Sequence, residues 1–237
     1  MSSLPFYPNT AASRRVEALR NYDIMDTPQE EVYDDITLLT SFICETPIAL
    51  ITLLDLDRQW FKSKVGIEAT ETPIELAFCS YAIQQEKVFL IPDALEDDRF
   101  RANPMVTSEP YIRFYAGAPL ITPRGVPLGT LCAVDRVPRQ FTDSQQRALS
   151  ALARQVITQL ELRRTMRQLG AALQEVRTLQ DLLPMCSWCR KVRNDQQYWC
   201  SVEEYLTKYS DVPLSHGICP DCRDKVASDW KQSRRPS

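Results

Sequence analysis

Cys186-Ser-Trp-Cys189 and Cys219-Pro-Asp-Cys222 form two C-x2-C pairs separated by 29 residues. At this spacing two thiolates approach one ion from a tight turn while backbone amides point at the sulfurs. Two such turns complete the tetrahedral four-sulfur site that zinc prefers, with Zn–S bonds of about 2.3 Å. One structural zinc ion held by Cys186, Cys189, Cys219 and Cys222 is therefore expected. A module of roughly 50 residues is too small to be stable without such a staple. Closed coordination leaves no place for water, so this metal is not expected to catalyse. The alternatives are an iron–sulfur cluster or a redox pair at Cys186 and Cys189, and two pairs in one small module favour metal. His216 could replace one cysteine or support the site from behind. Cys200 is left over and is expected to pack beside Trp199.

His216 is the one histidine of the chain. Residues 1–215 thus hold no Ser-His-Asp triad, Cys-His pair, histidine-ligated haem or phospho-accepting histidine. No catalytic constellation emerges, and the chain is expected not to be an enzyme. Cys44, Cys79 and Cys132 lie in apolar runs, where free cysteine behaves as a small hydrophobe. The sharper alternative is a thiol redox centre, which needs two of them with Cα atoms within about 7 Å.

A second group surrounds the connection Asp93–Pro110, which is longer than most loops in compact domains and so is expected to cover a ligand. Arg99, Asn103, Arg113 and Tyr115 are the candidates for lining or closing a pocket there. Arg113 would suit a carboxylate or phosphate, which a guanidinium grips with two hydrogen bonds. The alternative is that Arg99 and Arg113 pair with Asp93, Glu96, Asp97 or Asp98 and pin the loop.

The elements that would position these residues follow from pattern. Thr27-Pro28-Gln-Glu30 is a capping box, opening a helix that should bury Val32, Ile36, Leu39 and Ile43. Ile48–Leu54 is nearly all apolar, as a strand covered on both faces would be. Strands are expected at Gln59–Val65 and Val88–Ile91, and a helix around Glu75–Gln85. Ile112–Ile121 and Leu128–Val134 flank the turn Thr122-Pro-Arg-Gly125 and form a β-hairpin. Thr142 and Gln145 cap a helix running to Leu183, roughly 60 Å long at 1.5 Å per residue. Leu162, Met166, Leu169, Leu173, Val176, Gln180 and Leu183 alternate in steps of four and three, a seam for a parallel coiled-coil dimer. Gly170 and Gln180 interrupt that seam. Pro184 breaks the helix, and Ser201 with Glu204 caps another inside the cysteine module.

The 237 residues carry a net charge of −3, 44% apolar and 25% charged residues, so a sizeable core can form and no global field draws the chain to nucleic acid or membrane. Residues 184–237 hold nine Lys or Arg against seven Asp or Glu, and Arg190, Lys191 and Arg193 cluster near Trp188 and Trp199. A solvated face explains that cluster better than a nucleic-acid footprint. No run of 18 apolar residues and no secretory leader is visible, and a cytoplasmic protein with reduced thiols is expected.

Residues 15–160 resemble a GAF domain. The resemblance rests on Ala18-Leu-Arg-Asn-Tyr-Asp-Ile-Met-Asp-Thr-Pro28, Asp57-Arg-Gln-Trp-Phe-Lys62, Ala77-Phe-Cys-Ser-Tyr-Ala-Ile83, Pro92-Asp93, Asp98-Arg-Phe100 and Asn103-Pro104, in that order. It continues through Ile112-Arg-Phe-Tyr-Ala-Gly-Ala-Pro119 and Gly129-Thr-Leu-Cys132. It implies an α+β fold, with an antiparallel sheet bearing helices on one face and a ligand pocket on the other. It also implies small-molecule sensing, passed through a C-terminal helix in a homodimer to a signalling partner. The C-terminal stretch resembles a cysteine-rich module found beside sensor domains in bacterial signalling proteins. The cysteine-histidine pair of bilin-binding members and the Asn-Lys-x-Phe motif of cyclic-nucleotide-binding members are missing, and no kinase, cyclase or phosphodiesterase module is seen to follow. The expected organisation is a tail at 1–14, the GAF-like domain, a signalling helix at 161–183, the zinc module at 184–230 and a disordered tail at 231–237. Two alternatives remain: a thiol-dependent oxidoreductase, since some GAF proteins reduce free methionine sulfoxide with cysteines, and a nucleic-acid-binding adaptor.

Overall fold

The computed structural model describes residues 9–180, 184–193, 198–209, 215 and 217–233. The chain divides into two compact units, one ending at Gly170 and one starting at Ala171.

The first unit is built on a six-stranded antiparallel sheet of β1 (Ile48–Leu54), β2 (Arg58–Val65), β3 (Glu71–Pro73), β4 (Phe89–Ile91), β5 (Phe114–Ile121) and β6 (Pro127–Asp135), ordered β3-β2-β1-β6-β5-β4. β1 is buried at every position, as its nearly continuous apolar run requires. The β5–β6 hairpin forms as expected, with Gly125 at φ 75° in the turn between them. Side chains alternate across the sheet, so each strand feeds two separate cores. Ile51, Leu53, Phe114, Ala116, Leu120, Leu131 and Ala133 face α1 (Asn9–Tyr22), α2 (Glu31–Cys44) and the long α5 (Asp143–Gln180). Leu50, Leu54, Tyr115, Cys132 and Val134 face the opposite way, under α3 (Cys79–Ala82), α4 (Pro104–Thr107) and the Asp93–Pro110 connection.

Several local expectations are corrected. α1 begins at Asn9, inside the segment expected to be a tail. Thr27 does not cap α2, whose N-cap is Glu30 without a side-chain bond. Its hydroxyl instead donates to Ile24 O and accepts from Lys62 Nζ, a buried ammonium that also bonds Pro28 O and Glu30 Oε1. The stripe Val32, Leu39 and Ile43 does not enter the core, and Leu39 is 47% exposed. Of the expected stripe Ile36 is buried, and Tyr33, Thr37, Thr40 and Cys44 are buried with it. The helix expected around Glu75–Gln85 is split into a 3-10 turn at Ile74–Leu76 and the single-turn α3. By contrast, Thr142 and Gln145 form a reciprocal capping box at the start of α5, with each backbone N–H donating to the other's side chain at 3.1 and 3.2 Å.

The second unit contains β7 (Val192–Arg193), β8 (Trp199–Cys200), α6 (Val202–Tyr209) and α7 (Pro220–Ser233), together with the last turns of α5. Ser201 caps α6, accepting from Glu204 N at 3.0 Å. α7 extends into the segment expected to be a disordered tail. Among the described residues, no helix is long and apolar enough to cross a membrane.

Candidate functional site

Three adjacent strands aim polar groups at one spot on the second face of the sheet. Thr52 on β1 and Thr130 on β6 are register partners, and Cys132 lies two residues beyond Thr130 on the same side. Tyr115 on β5 leans along its strand over Gly117, where a methyl group would lie 2.3 Å from the phenol oxygen. Absence of a side chain at Gly117 is thus what lets the phenol reach across. Cys79, opening α3, meets the group from above.

The result is a buried sulfur surrounded by donors. Cys79 Sγ accepts from Thr130 Oγ1 at 2.9 Å, from Tyr115 Oη at 3.2 Å and from Thr52 Oγ1 at 3.3 Å, with the Cys132 thiol, 3.6 Å from Leu50 O, beside it. Burial pushes the Cys79 thiol up, but the hydrogen bonds from Cys132, Thr130, Thr52 and Tyr115 outweigh it and bring it down to about 7. Its neighbours move oppositely. Cys132 is raised by its bond to Cys79 and then by burial, and Tyr115 by burial and then by the Cys79 charge. One thiolate among neutral donors is the consistent assignment. Cys44, buried on the helix side, is pushed up to about 12 by desolvation alone.

Beside this cluster lies a small apolar cavity of about 20 Å³, lined by Leu50, Phe61, Phe78, Ile112 and Val134 and, as polar groups, by Gln59, Cys79, Tyr115 and Cys132. One water occupies at least about 10–15 Å³ by the same measure. Gln59 is buried, and its Oε1 has no hydrogen-bond partner.

Of the four residues expected at the pocket, only Tyr115 lines this cavity. Arg113 grips Asp93 with two bonds of 2.7 and 2.6 Å, and Arg99 grips Asp97 at 2.8 and 2.6 Å while lying over the rings of Phe89 and Phe100. Asn103 Oδ1 caps α4 by accepting from Met105 N, and its Nδ2 donates to Leu76 O. These three hold the connection in place. Phe100 on that connection stacks on Phe78, which stacks in turn on Tyr115.

In the second unit each C-x2-C pair folds as a turn around its first sulfur. Cys189 N donates to Cys186 Sγ at 3.5 Å, and Cys222 N donates to Cys219 Sγ at 3.4 Å. Amide bonds from Cys189 and Trp188 pull the Cys186 thiol down, and that from Cys222 does the same for Cys219. Each turn suits a metal thiolate, but among the described residues no three Cys, His, Asp or Glu side chains converge on one point. His216 lies outside the described residues. Cys200 is half-buried in the β7–β8 hairpin, its thiol 3.8 Å from Val192 O.

A two-sided antiparallel sheet with a covered cavity on the face away from its long helices is the arrangement that the resemblance implied. Residues 28–160 match the GAF domain. The chain belongs to the GAF domain family. A cyclic di-GMP phosphodiesterase of Pseudomonas aeruginosa is 44% identical over 135 residues, which is 57% of this chain and 23% of that protein's length. The chain is also similar to the PixJ GAF domain of Thermosynechococcus elongatus in its blue-light-absorbing form (11% identity, TM-score 0.49, covering 73% of this chain and 98% of that one). A free methionine-R-sulfoxide reductase of Neisseria meningitidis gives 18% identity and a TM-score of 0.48, covering 70% and 99%.

The expectation that the chain is not an enzyme is not upheld, because the protein to which 135 of its residues are 44% identical is named a phosphodiesterase. Sequence reasoning passed over Gln59 in the cavity and Thr52 and Thr130 in the polar cluster beside it. A hydroxyl inside an apolar run is the signal that would have pointed to the two threonines. Thr52 interrupts Ile48–Leu54, and Thr130 stands two residues before Cys132, and each had to find a partner once buried.

Proposed function

We propose that this chain is a cytoplasmic signal-transduction protein whose GAF domain senses a small molecule in the cavity beside Cys79. The carrying observation is Gln59 Oε1, a buried acceptor without a donor, lining a cavity that three other polar side chains share. A buried acceptor left unpaired costs about 1–3 kcal/mol, which a ligand's N–H or O–H would recover. The ligand class is therefore small and uncharged, with at least one donor. The arginines that would have favoured an anion are held by Asp93 and Asp97.

The signal would leave through α5 in a homodimer. Leu162, Met166 and Leu169 are exposed on that helix, Met166 at 65%, and α2 adds Phe42 at 81% on its own outer face. Apolar surface of this extent on two helices is ordinarily covered by a partner. A zinc ion on Cys186, Cys189, Cys219 and Cys222 would join the two sulfur-centred turns into one folded module. The relative named a cyclic di-GMP phosphodiesterase supports an output tied to cyclic di-GMP turnover, with this domain in the regulatory part.

Native mass spectrometry of the chain as isolated from cells tests the sensory reading. A non-covalent adduct is expected on the wild type and should be lost in Gln59→Leu, whose melting temperature should match or exceed that of the wild type. Absence of any adduct, with no stabilisation from cell extract metabolites, would refute it.

A further inference from the structure

We propose that Cys79 is a peroxide-reactive thiolate and Cys132 the thiol that resolves it, so that the cavity registers hydrogen peroxide as a Cys79–Cys132 disulfide. This deepens the sensory reading of the same cavity by naming what it takes.

Three independent features converge on this chemistry. The first is the set of hydroxyl donors on Cys79 Sγ, from Thr130, Tyr115 and Thr52 at 2.9, 3.2 and 3.3 Å. Side chains that can all donate at once have an acceptor of full strength only when the sulfur has lost its proton, and the thiolate is the nucleophile in thiol chemistry. The second is size and polarity. A cavity of about 20 Å³ admits an oxidant scarcely larger than water and excludes bulky ones, and the free Gln59 Oε1 can accept from one peroxide O–H. The third is the second thiol. Cys132 also lines the cavity and stands two residues along β6 from Thr130, whose hydroxyl donates to Cys79 Sγ, so both sulfurs face the same small space in which the roughly 2.05 Å bond of a disulfide would form.

The steps balance without a further reagent. Cys79 thiolate attacks one peroxide oxygen; an S–O bond forms, the O–O bond breaks, and hydroxide leaves and is protonated to water. Sulfur is oxidised by two electrons to the sulfenic acid, and peroxide is reduced. Cys132 then attacks the Cys79 sulfur; the S–S bond forms, the S–O bond breaks, and the departing hydroxide takes the Cys132 proton. The sum is two thiols and one peroxide giving one disulfide and two waters.

Oxidation also has a structural readout. The disulfide removes the anionic acceptor from Tyr115, whose ring stacks on Phe78 and through it on Phe100 of the covering connection. Loss of that acceptor frees the phenol on which the stack rests.

The test uses the full chain, treated with one equivalent of hydrogen peroxide, unfolded in alkylating reagent and digested without reduction. Lys87 and Arg124 separate the two cysteines into different tryptic peptides, so a linked Cys79–Cys132 peptide is diagnostic. Cys44 should remain fully alkylated. In Cys132→Ala, dimedone should label Cys79. Thr130→Val, which keeps shape but removes one donor, should slow the reaction at pH 7 roughly fivefold, the effect of about one pKa unit on the thiolate fraction of a group near 7. Cys79 and Cys132 both alkylated after the exposed C-terminal cysteines have been oxidised would overturn the proposal, as would equal rates in Thr130→Val. A bound adduct lost in Gln59→Leu, with no disulfide, would leave the ligand reading standing and remove only the peroxide.

Discussion

The ring of Phe100 lies flat on that of Phe78, with centroids 4.3 Å apart and planes 7° from parallel. Phe78 immediately precedes Cys79, and Phe100 sits near the middle of the connection that covers the sheet, so this stack joins the cover to the polar cluster. The connection is also held by the Asn103 bond to Leu76 O and by Arg113–Asp93 and Arg99–Asp97, pairs that are partly exposed and contribute little each. Phe100→Ala should destabilise the first unit by about 3 kcal/mol through loss of a fully buried ring. Chemical denaturation measures the loss, and hydrogen exchange over residues 93–110 should accelerate more than exchange in β1. Equal acceleration in both would show that the stack does not govern the cover.

Ionisation of Cys79 should make stability depend on pH in a defined direction. The folded thiol sits at about 7 against an ordinary 9.0, so between these values the unfolded chain holds a proton that the fold has released. Stability from this group is therefore complete above pH 9 and is lost as pH falls through 7. Cys44 acts oppositely at higher pH, because burial keeps it a thiol up to about 12 and its contribution declines as pH rises past 9. The difference in thiolate ultraviolet absorbance between wild type and Cys79→Ser should titrate near pH 7. A midpoint at 9 or higher would contradict the assignment of the thiolate to Cys79.

The exposed apolar surface on α5 should be covered by a second copy of the chain. Leu169→Asp would place a charge in the seam, and Phe42→Asp would do so on the outer face of α2. Sedimentation at micromolar concentration should give dimers for the wild type and monomers for Leu169→Asp, with the sheet still folded by circular dichroism. A monomeric wild type would end the coiled-coil proposal. A dimer disrupted by Leu169→Asp but not by Phe42→Asp would confine the interface to α5.

Metal content should be one zinc per chain. Cys219→Ser should abolish it, whereas Cys200→Ser should leave it unchanged, since Cys200 packs in the β7–β8 hairpin. Chelation should unfold the second unit and spare the first, because binding free energy in so small a module is folding free energy. A chelator-treated chain whose far C-terminal amides stay protected from exchange would refute structural zinc.

What the sequence determined by itself was everything carried by local pattern. Ile48–Leu54 could only be a strand covered on both sides, and the hairpin around Thr122–Gly125 was readable from alternation and turn residues. The capping box at Thr142 and the Ser201 cap formed from residues within one helical turn, whereas Thr27, with the same local pattern, is engaged instead by Ile24 O and Lys62. The motifs from Ala18 to Cys132 were enough to indicate the family. Tertiary structure decided which face looks where. On α2 the period of Val32, Ile36, Leu39 and Ile43 marked an apolar stripe, yet of these only Ile36 is buried, beside Tyr33, Thr37 and Thr40. Those threonines tolerate burial because their hydroxyls are satisfied locally, Thr40 by Ile36 O and Thr37 by Asp34 O and Ser63. Periodicity reports that a helix has a face but not which layer will cover it. The same limit applied to the cavity. Arg113 and Asp93 are twenty residues apart and Cys79 and Thr130 fifty-one, and only the register of β1, β5 and β6 brings the second pair together while leaving the first to pin a loop.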